Sequence, residues 1–241
     1  MIHYHGTPIG GPHDRAAESM IGRHAFVSFA APSQLDLVAE VCQSFACDNG
    51  AFSAWRSGNP ITKWDAYYEW VGEIKREPGF DWAVIPDVID GTEEEQDRLI
   101  DEWPHGVLGV PVWHMNEPVE RLRRLSEKWA RVALGSTGAY KTVGTPQWWG
   151  RMSEAMNAVC VAGQPIAKLH GLRMLDMDVF SHLPLSSADS TSAAFNSHVD
   201  AAWKGTYEPP KPWRTRVLMA RIESANHARH WVGGQQERLF A

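Results

Sequence analysis

Three aspartates, Asp48, Asp87 and Asp189, each close a short apolar run: SFACD, WAVIPD and PLSSAD. Alone, each reads as a helix cap or a loop turn. Brought together at the ends of three buried segments they read as a reaction centre, because mutual repulsion and partial burial spread their pKa values and divide the work. One acid then stays ionised as a nucleophile while another holds or takes a proton. Four further runs end in polar residues of the same usefulness: IHYH at His5, VPVWH at His114, VALGS at Ser136 and AKLH at His170. Asn49 and Gly50 follow Asp48 as a turn that lets backbone approach a ligand, and Phe52 and Trp55 are placed to wall an aromatic slot.

Elements that hold such residues must be buried on both faces until they surface at one end. That is the pattern of parallel strands, whose carboxyl ends carry the chemistry of α/β barrels. Helical patterns separate the runs. Ala16, Ala17, Met20 and Ile21 share a face, and Ser33 is placed to cap a helix with Leu35, Val38, Ala39 and Cys42 inward. Trp64, Tyr67, Tyr68, Val71 and Ile74 line another. Thr92 and Glu95 have capping-box spacing ahead of Leu99, Ile100 and Trp103. Leu122, Leu125 and Trp129 mark a further helix, with Arg121, Arg124, Lys128 and Arg131 read as its solvated basic face. Thr145 and Pro146 open the longest one, with Trp148, Trp149, Met152, Met156 and Val159 inward, and a helical turn is expected near Asp176. Counting AFVSFA, about eight strands alternate with helices, which predicts a single (β/α)8 TIM-like barrel; an open doubly wound sheet is the alternative.

With 241 residues, 44% of them hydrophobic, the chain has the length of one such barrel. The expected division is a catalytic barrel over residues 1–196 and a C-terminal extension over 197–241, whose first part, with Pro209, Pro210 and Pro212, breaks the alternation. No run approaches the roughly 20 apolar residues of a membrane span, and the amino terminus lacks a signal-peptide layout, so a cytoplasmic protein is expected. Cys42, Cys47 and Cys160 lack CxxC spacing and read as small core residues. The net charge of −6 disfavours general nucleic-acid binding. From residue 200 onward, however, seven Lys or Arg (Lys204, Lys211, Arg214, Arg216, Arg221, Arg229, Arg238) face four acids, interleaved with Trp203, Tyr207, Trp213 and Trp231. Such a segment suits local contact with phosphate and bases, or simply wraps the barrel. Exposed members of the twelve tryptophans would suit a homodimer interface.

The order DNGAFSAW, IPDVIDG, VPVWH, VALGSTG, AKLHGLRMLD and SADST, over residues 44–192, resembles the barrel core of tRNA-guanine transglycosylases and of their phage and bacterial DNA 7-deazaguanine transglycosylase relatives. The resemblance implies exchange of a guanine-type base in nucleic acid for a 7-deazaguanine-type base through a covalent aspartyl-sugar intermediate. It makes Asp189 the nucleophile at the sugar C1′ and Asp48 the general acid/base. Asp87 would accept from the donor edge of the ring, while His114, standing where the family has glutamine, and the Gly135 N–H would face its carbonyl. Phe52 or Trp55 would stack on it, and Ser136 and His170 complete the binding set. An oxocarbenium-like centre needs a carboxylate beneath it, and a base in a duplex must be flipped out to reach it. The chain lacks the cysteine zinc subdomain that follows the barrel in the tRNA enzymes, and its last strand reads DST where the family has Asp-Cys. DNA is therefore expected over tRNA as acceptor, with no cofactor.

Two other readings stand beside this one. His3 and His5 form an HxH which, with His114, His170 and Asp189, is similar to the ligand set of metal-dependent amidohydrolases and would hold zinc or another divalent ion. A non-catalytic nucleic-acid-binding barrel using the basic-aromatic tail is the third.

Overall fold

The computed structural model describes residues 1–233. The apolar runs form strands β1 (Ile2–Gly6), β2 (His24–Ser28), β3 (Ser44–Asp48), β4 (Phe80–Val84), β5 (Gly109–Val110), β6 (Val112–His114) and β7 (Arg131–Gly135). A small antiparallel hairpin of β8 (Cys160–Val161) and β9 (Gln164–Pro165) precedes β10 (Lys168–Gly171) and β11 (Ser187–Ser190). The other nine segments make one parallel sheet in the order β5-β4-β3-β2-β1-β11-β10-β7-β6. Only Pro111 separates β5 from β6. It has no N–H for the ladder and so interrupts the strand, yet its carbonyl accepts from Ala133 N at 2.9 Å while the Val110 carbonyl accepts from Ile85 N at 2.9 Å. A single stretch thus joins β4 to β7, and the sheet closes as a TIM-like (β/α)8 barrel rather than ending as an open one.

Around it run α1 (His13–Met20), α2 (Leu35–Val41), α3 (Ala51–Arg56), α4 (Asp65–Ile74), α5 (Glu93–Asp101), α6 (Val119–Lys128), α7 (Pro146–Val159), α8 (Met177–Phe180), α9 (Ser192–Asn196) and α10 (Arg214–Glu223). The sequence signals act where they were expected at two helix starts. Thr92 and Glu95 close a reciprocal capping box on α5, worth about 1 kcal/mol. Thr145 accepts from Trp148 N with Pro146 in the first turn of α7. At α2 the expectation fails, because the helix is entered through Gln34 without a side-chain cap and Ser33 lies in the turn before it. Ile21 likewise falls beyond α1 and is 61% exposed.

Strand alternation sorts side chains into two layers. Tyr4, Phe26, Ala46, Trp82, Val84, Val110, Val112 and Ala133 fill the barrel interior. Their sequence neighbours face outward: Val27, Phe45, Cys47 and Ala83 pack under α1, α2, α4 and α5, and Trp113, Val132, Leu134 and Leu169 under α6 and α7. Two arginines of the expected solvated face are not solvated. Arg121 is 1% exposed and bonds Glu117, Asp97 and the Val112 carbonyl. Arg131 is the first residue of β7, its guanidinium 5.0 Å from the Trp82 ring. Arg121 lies on the inner face of α6 and Arg131 is half-buried at an inward position of β7, and in both the long apolar stem allows it.

The segment set apart from residue 197 supplies part of the helical layer. Helix α10 packs on α1, α9 and β1, placing Met219 and Ile222 in the outer core. Its basic and aromatic groups are largely engaged within the chain. Buried Arg214 pairs with Asp200 and Glu208, buried Trp203 lies under Arg221 and donates to the Ser197 carbonyl, and buried Trp231 donates to Asn157. Trp213 stacks on Arg15, whereas Tyr207 is 72% exposed. Arg238 lies outside the described residues. Among the described residues no helix is long and apolar enough to cross a membrane.

Candidate active site

Positions that alternate inward along β3, β6, β10 and β11 end in Asp48, His114, His170 and Asp189 at the carboxyl end of the barrel. Asp87 joins them from the loop three residues past β4. The register of β2 on β3 sets Ser28 opposite Asp48, and the Ser28 hydroxyl donates to Asp48 Oδ2 at 2.8 Å. The Gly50 N–H adds a second bond at 3.1 Å. Gly50 has φ 80°, and a Cβ there would come within 3.1 Å of Ala30, so this turn requires glycine on two counts. Burial lifts the Asp48 pKa from the usual carboxylate range to about 6. The charges of Asp189 and Asp87 push the same way, against the bonds from Ser28 and Gly50. Asp48 therefore senses both other acids.

Asp189 is oriented from beneath. His170 is wholly buried, with Nδ1 2.9 Å from Ser187 Oγ and Nε2 3.2 Å from Asp189 Oδ1. Desolvation pushes this imidazole below its ordinary pKa, despite the carboxylate. A neutral ring has one donor and one acceptor, so the chain runs Ser187 hydroxyl to Nδ1 and Nε2–H to Asp189. Asp189 Oδ1 also accepts from the Arg173 backbone N–H at 3.0 Å. Its Oδ2 carries no hydrogen bond among the described residues. His170 thus serves the acid rather than a ligand.

Asp87 is gripped on both oxygens. Asn49 Nδ2 donates to Oδ1 at 2.7 Å and also to the Ile85 carbonyl, while its own Oδ1 accepts from Ala51 N. His114 Nε2 lies 2.8 Å from Asp87 Oδ2, and its Nδ1 faces Glu117 at 3.7 Å. Burial alone would lower the pKa of His114, but hydrogen bonds and charges from Asp87 and Glu117 outweigh it and carry the pKa up to about 9. The imidazolium is the second member of a charged series, Asp87–His114–Glu117–Arg121–Asp97, which is buried from the mouth as far as Arg121 and ends on exposed Asp97. His114 is therefore turned onto Asp87, not presented to a bound carbonyl. Gly135 sits beside it, and a Cβ there would meet His114 Cδ2 at 3.2 Å and Val112 Cγ1 at 3.3 Å. Ser136 Oγ accepts from Trp148 Nε1 at 2.9 Å.

Arg173 spans this mouth. Its φ of 59° is left-handed, uncommon for a side chain of this size, and its guanidinium donates to the Ser136 carbonyl at 2.8 Å and lies 4.0 Å from the Phe52 ring centre. The expected stacking face of Phe52 is thus covered by a flat cation. Trp55 lies 5.8 Å from Phe52 and is 43% exposed, its indole N–H bonded to Asp90.

His3 and His5 are not part of this constellation. Tyr4 takes the inward position on β1, so both histidines face the helices: His5 Nε2 lies 2.8 Å from Glu223 of α10, and the His3 ring meets Phe180 edge-on at 5.4 Å. His3 and His5 share one face of β1, but it is the outward face opposite Tyr4, so the HxH pair points at the helices and away from His114, His170 and Asp189. Of its five ligands only His114, His170 and Asp189 face the interior, and the first two are already committed. Among the described residues no three His, Cys, Asp or Glu side chains gather as metal ligands.

Asn49, Ser28, Glu117 and Arg173 were not singled out as site residues from the sequence. Asn49 had a signal, sitting beside Asp48 in DNG, but it read as turn chemistry. Ser28 had only its position at the end of AFVSFA. Glu117 and Arg173 had none, since loop charges are the default surface. No family model matches the chain, nor does a curated protein or a solved structure.

Proposed function

We propose that the chain is a base-exchanging transglycosylase acting on nucleic acid, in which a guanine-type base is replaced by a 7-deazaguanine-type base. The observation that carries this reading is the convergence of Asp48 and Asp189 from two strands and Asp87 from the loop past a third on one mouth, with Asp48 poised at about 6 and Asp189 keeping one oxygen without a partner among the described residues. The ordered strand-end motifs over residues 44–192 support it independently.

In this reading Asp189 Oδ2 attacks C1′ of a flipped-out nucleotide as the bond to the base nitrogen breaks, giving a glycosyl ester. Asp48 supplies the proton to the departing nitrogen. An incoming base then loses its proton to Asp48 and attacks C1′, and Asp189 is released with its charge restored. Two acids in two protonation states are what such a double displacement requires. His170 and the Arg173 N–H hold Asp189 in aim, while Asn49 and His114 hold Asp87 toward the donor edge of the base. His114 is a positioning residue here, and DNA is the proposed acceptor. Among the described residues, the internally paired C-terminal segment leaves Tyr207 and Trp213 as its exposed tyrosine and tryptophan for a nucleic-acid partner.

The test is exchange of labelled guanine into guanine-containing DNA and RNA hairpins, with a denaturing gel to catch a covalent adduct. Incorporation with DNA and an adduct absent from Asp189→Asn is the expected result. No incorporation into either polymer by the unaltered chain refutes the reading.

A further inference from the structure

At the opposite end of the barrel lies a cavity of about 540 Å3 whose walls bring together Lys128, Arg131 and Lys168. Arg131 and Lys168 are register partners on adjacent parallel strands, so their side chains leave the same face side by side. Like charges so placed repel unless an anion lies between them. Among the described residues none of the three cations has an ion-pair partner or a side-chain hydrogen bond; the Arg131 guanidinium lies 5.0 Å from the Trp82 ring centre. Two buried donors here, Arg131 Nη1 and Trp129 Nε1, have no acceptor. One acid, Asp81, shares this wall, its Oδ2 accepting from Tyr4 at 2.6 Å and Ser44 at 2.5 Å, so the cavity brings three cations together with one carboxylate. Three cations against one carboxylate leave this wall with an excess of positive charge, which favours a bound acceptor of negative charge. The rest of the wall is apolar, from Trp129 to Val107, which is 95% exposed.

The geometry points to a second binding site, at the amino end of the barrel, for a small organic anion. Its phosphate or carboxylate is held by Lys128, Arg131 and Lys168, and its planar apolar body lies against Trp129 and Val107. The volume is that of a ligand pocket for one small molecule. This site is separate from the carboxylate mouth and does not depend on the reaction proposed there.

Phenyl phosphate is the probe, titrated against the full chain while tryptophan fluorescence is followed, beside inorganic phosphate and benzyl alcohol. Saturable quenching is expected with phenyl phosphate, weakened by salt and at least about tenfold weaker with inorganic phosphate or benzyl alcohol, since each lacks half of the recognition. Both lysines are exposed, so the double variant Lys128→Gln/Lys168→Gln keeps its circular dichroism and loses at least about tenfold in affinity. Lys128→Glu alone gives a loss in the same direction. No saturable quenching in the unaltered chain, or equal affinity in the folded lysine variants, overturns the proposal.

Discussion

At the carboxyl end of the barrel the inward positions hold Asp48 and Asp189, with Asp87 just beyond; at the amino end, the same face of the same sheet holds His24, Arg131 and Lys168. Between them the interior is apolar, closed by Tyr4, Phe26, Trp82 and Val112. The two ends differ in more than sign. Every acid of the mouth is held by donors: Ser28 and Gly50 on Asp48, His170 and Arg173 on Asp189, Asn49 and His114 on Asp87. The cations of the floor have no such acceptors among the described residues, and a ring face is what Arg131 lies against. A carboxylate with fixed donors is preorganised for one geometry, whereas unpaired cations await a counter-charge. In the proposed reading the mouth is where atoms react and the floor is where an anion rests.

Substitutions can break that contrast, and the largest effect belongs to Asp189. Asp189→Asn should lower base exchange by at least about 10³-fold and abolish the adduct, while the melting temperature stays close to that of the parent. Asp48→Asn should cost about 10²–10⁴-fold, and single-turnover base expulsion by the unaltered chain should fall as pH rises above about 6, because the proton on Asp48 is then lost. The same substitution should stabilise. A folded-state pKa raised to about 6 means that stability is lost as pH climbs from the unfolded carboxylate value through 6, and asparagine removes that loss. Thermal melts of the two proteins at pH 4.5 and 7.5 check this, with the gap wider at the higher pH.

Breaking the buried series at Asp87→Asn should destabilise by about 3–5 kcal/mol, read from urea unfolding, because the His114 charge loses its nearest partner. The pH sign is opposite to an acid-lability. With the His114 pKa raised to about 9, the pair contributes fully below about pH 6.5 and fades as pH rises through 9, a limb the variant should flatten. Arg173→Ala leaves the backbone N–H on Asp189 and removes only the guanidinium, so about a tenfold rise in KM for the nucleic acid is expected with little change in kcat. The smallest effect should come from the floor: Lys128→Gln should leave exchange unchanged, and a loss there would dissolve the separation of the two ends.

Much of the frame was legible because period-two and period-3.6 patterns record burial directly. The runs ending in Asp48, His114, His170 and Asp189 emerged as strands with those residues facing the mouth, and the Thr92 and Thr145 caps opened helices as spaced. The partners were less so. His114 was expected to meet a ligand and instead pairs with Asp87, since nothing in VPVWH reports what lies 27 residues upstream in sequence. Arg121 was placed on a solvated face, although Glu117 and Asp97 draw it inward. Residues 197 onward read as an extension packed on or beside the barrel, and what the prolines hide is the helix with which this segment completes the layer around β1.

By itself the sequence determined which segments are buried on both sides, where each one surfaces and which side chains stand at those points, because alternation and apolar length are local properties of the chain. Only the tertiary structure decided that Pro111 joins the two ends of the sheet into a closed barrel, that His3 and His5 face away from it, and that three distant aspartates share one mouth. Those outcomes depend on strand register around the whole ring, and register is fixed by partners far apart in sequence.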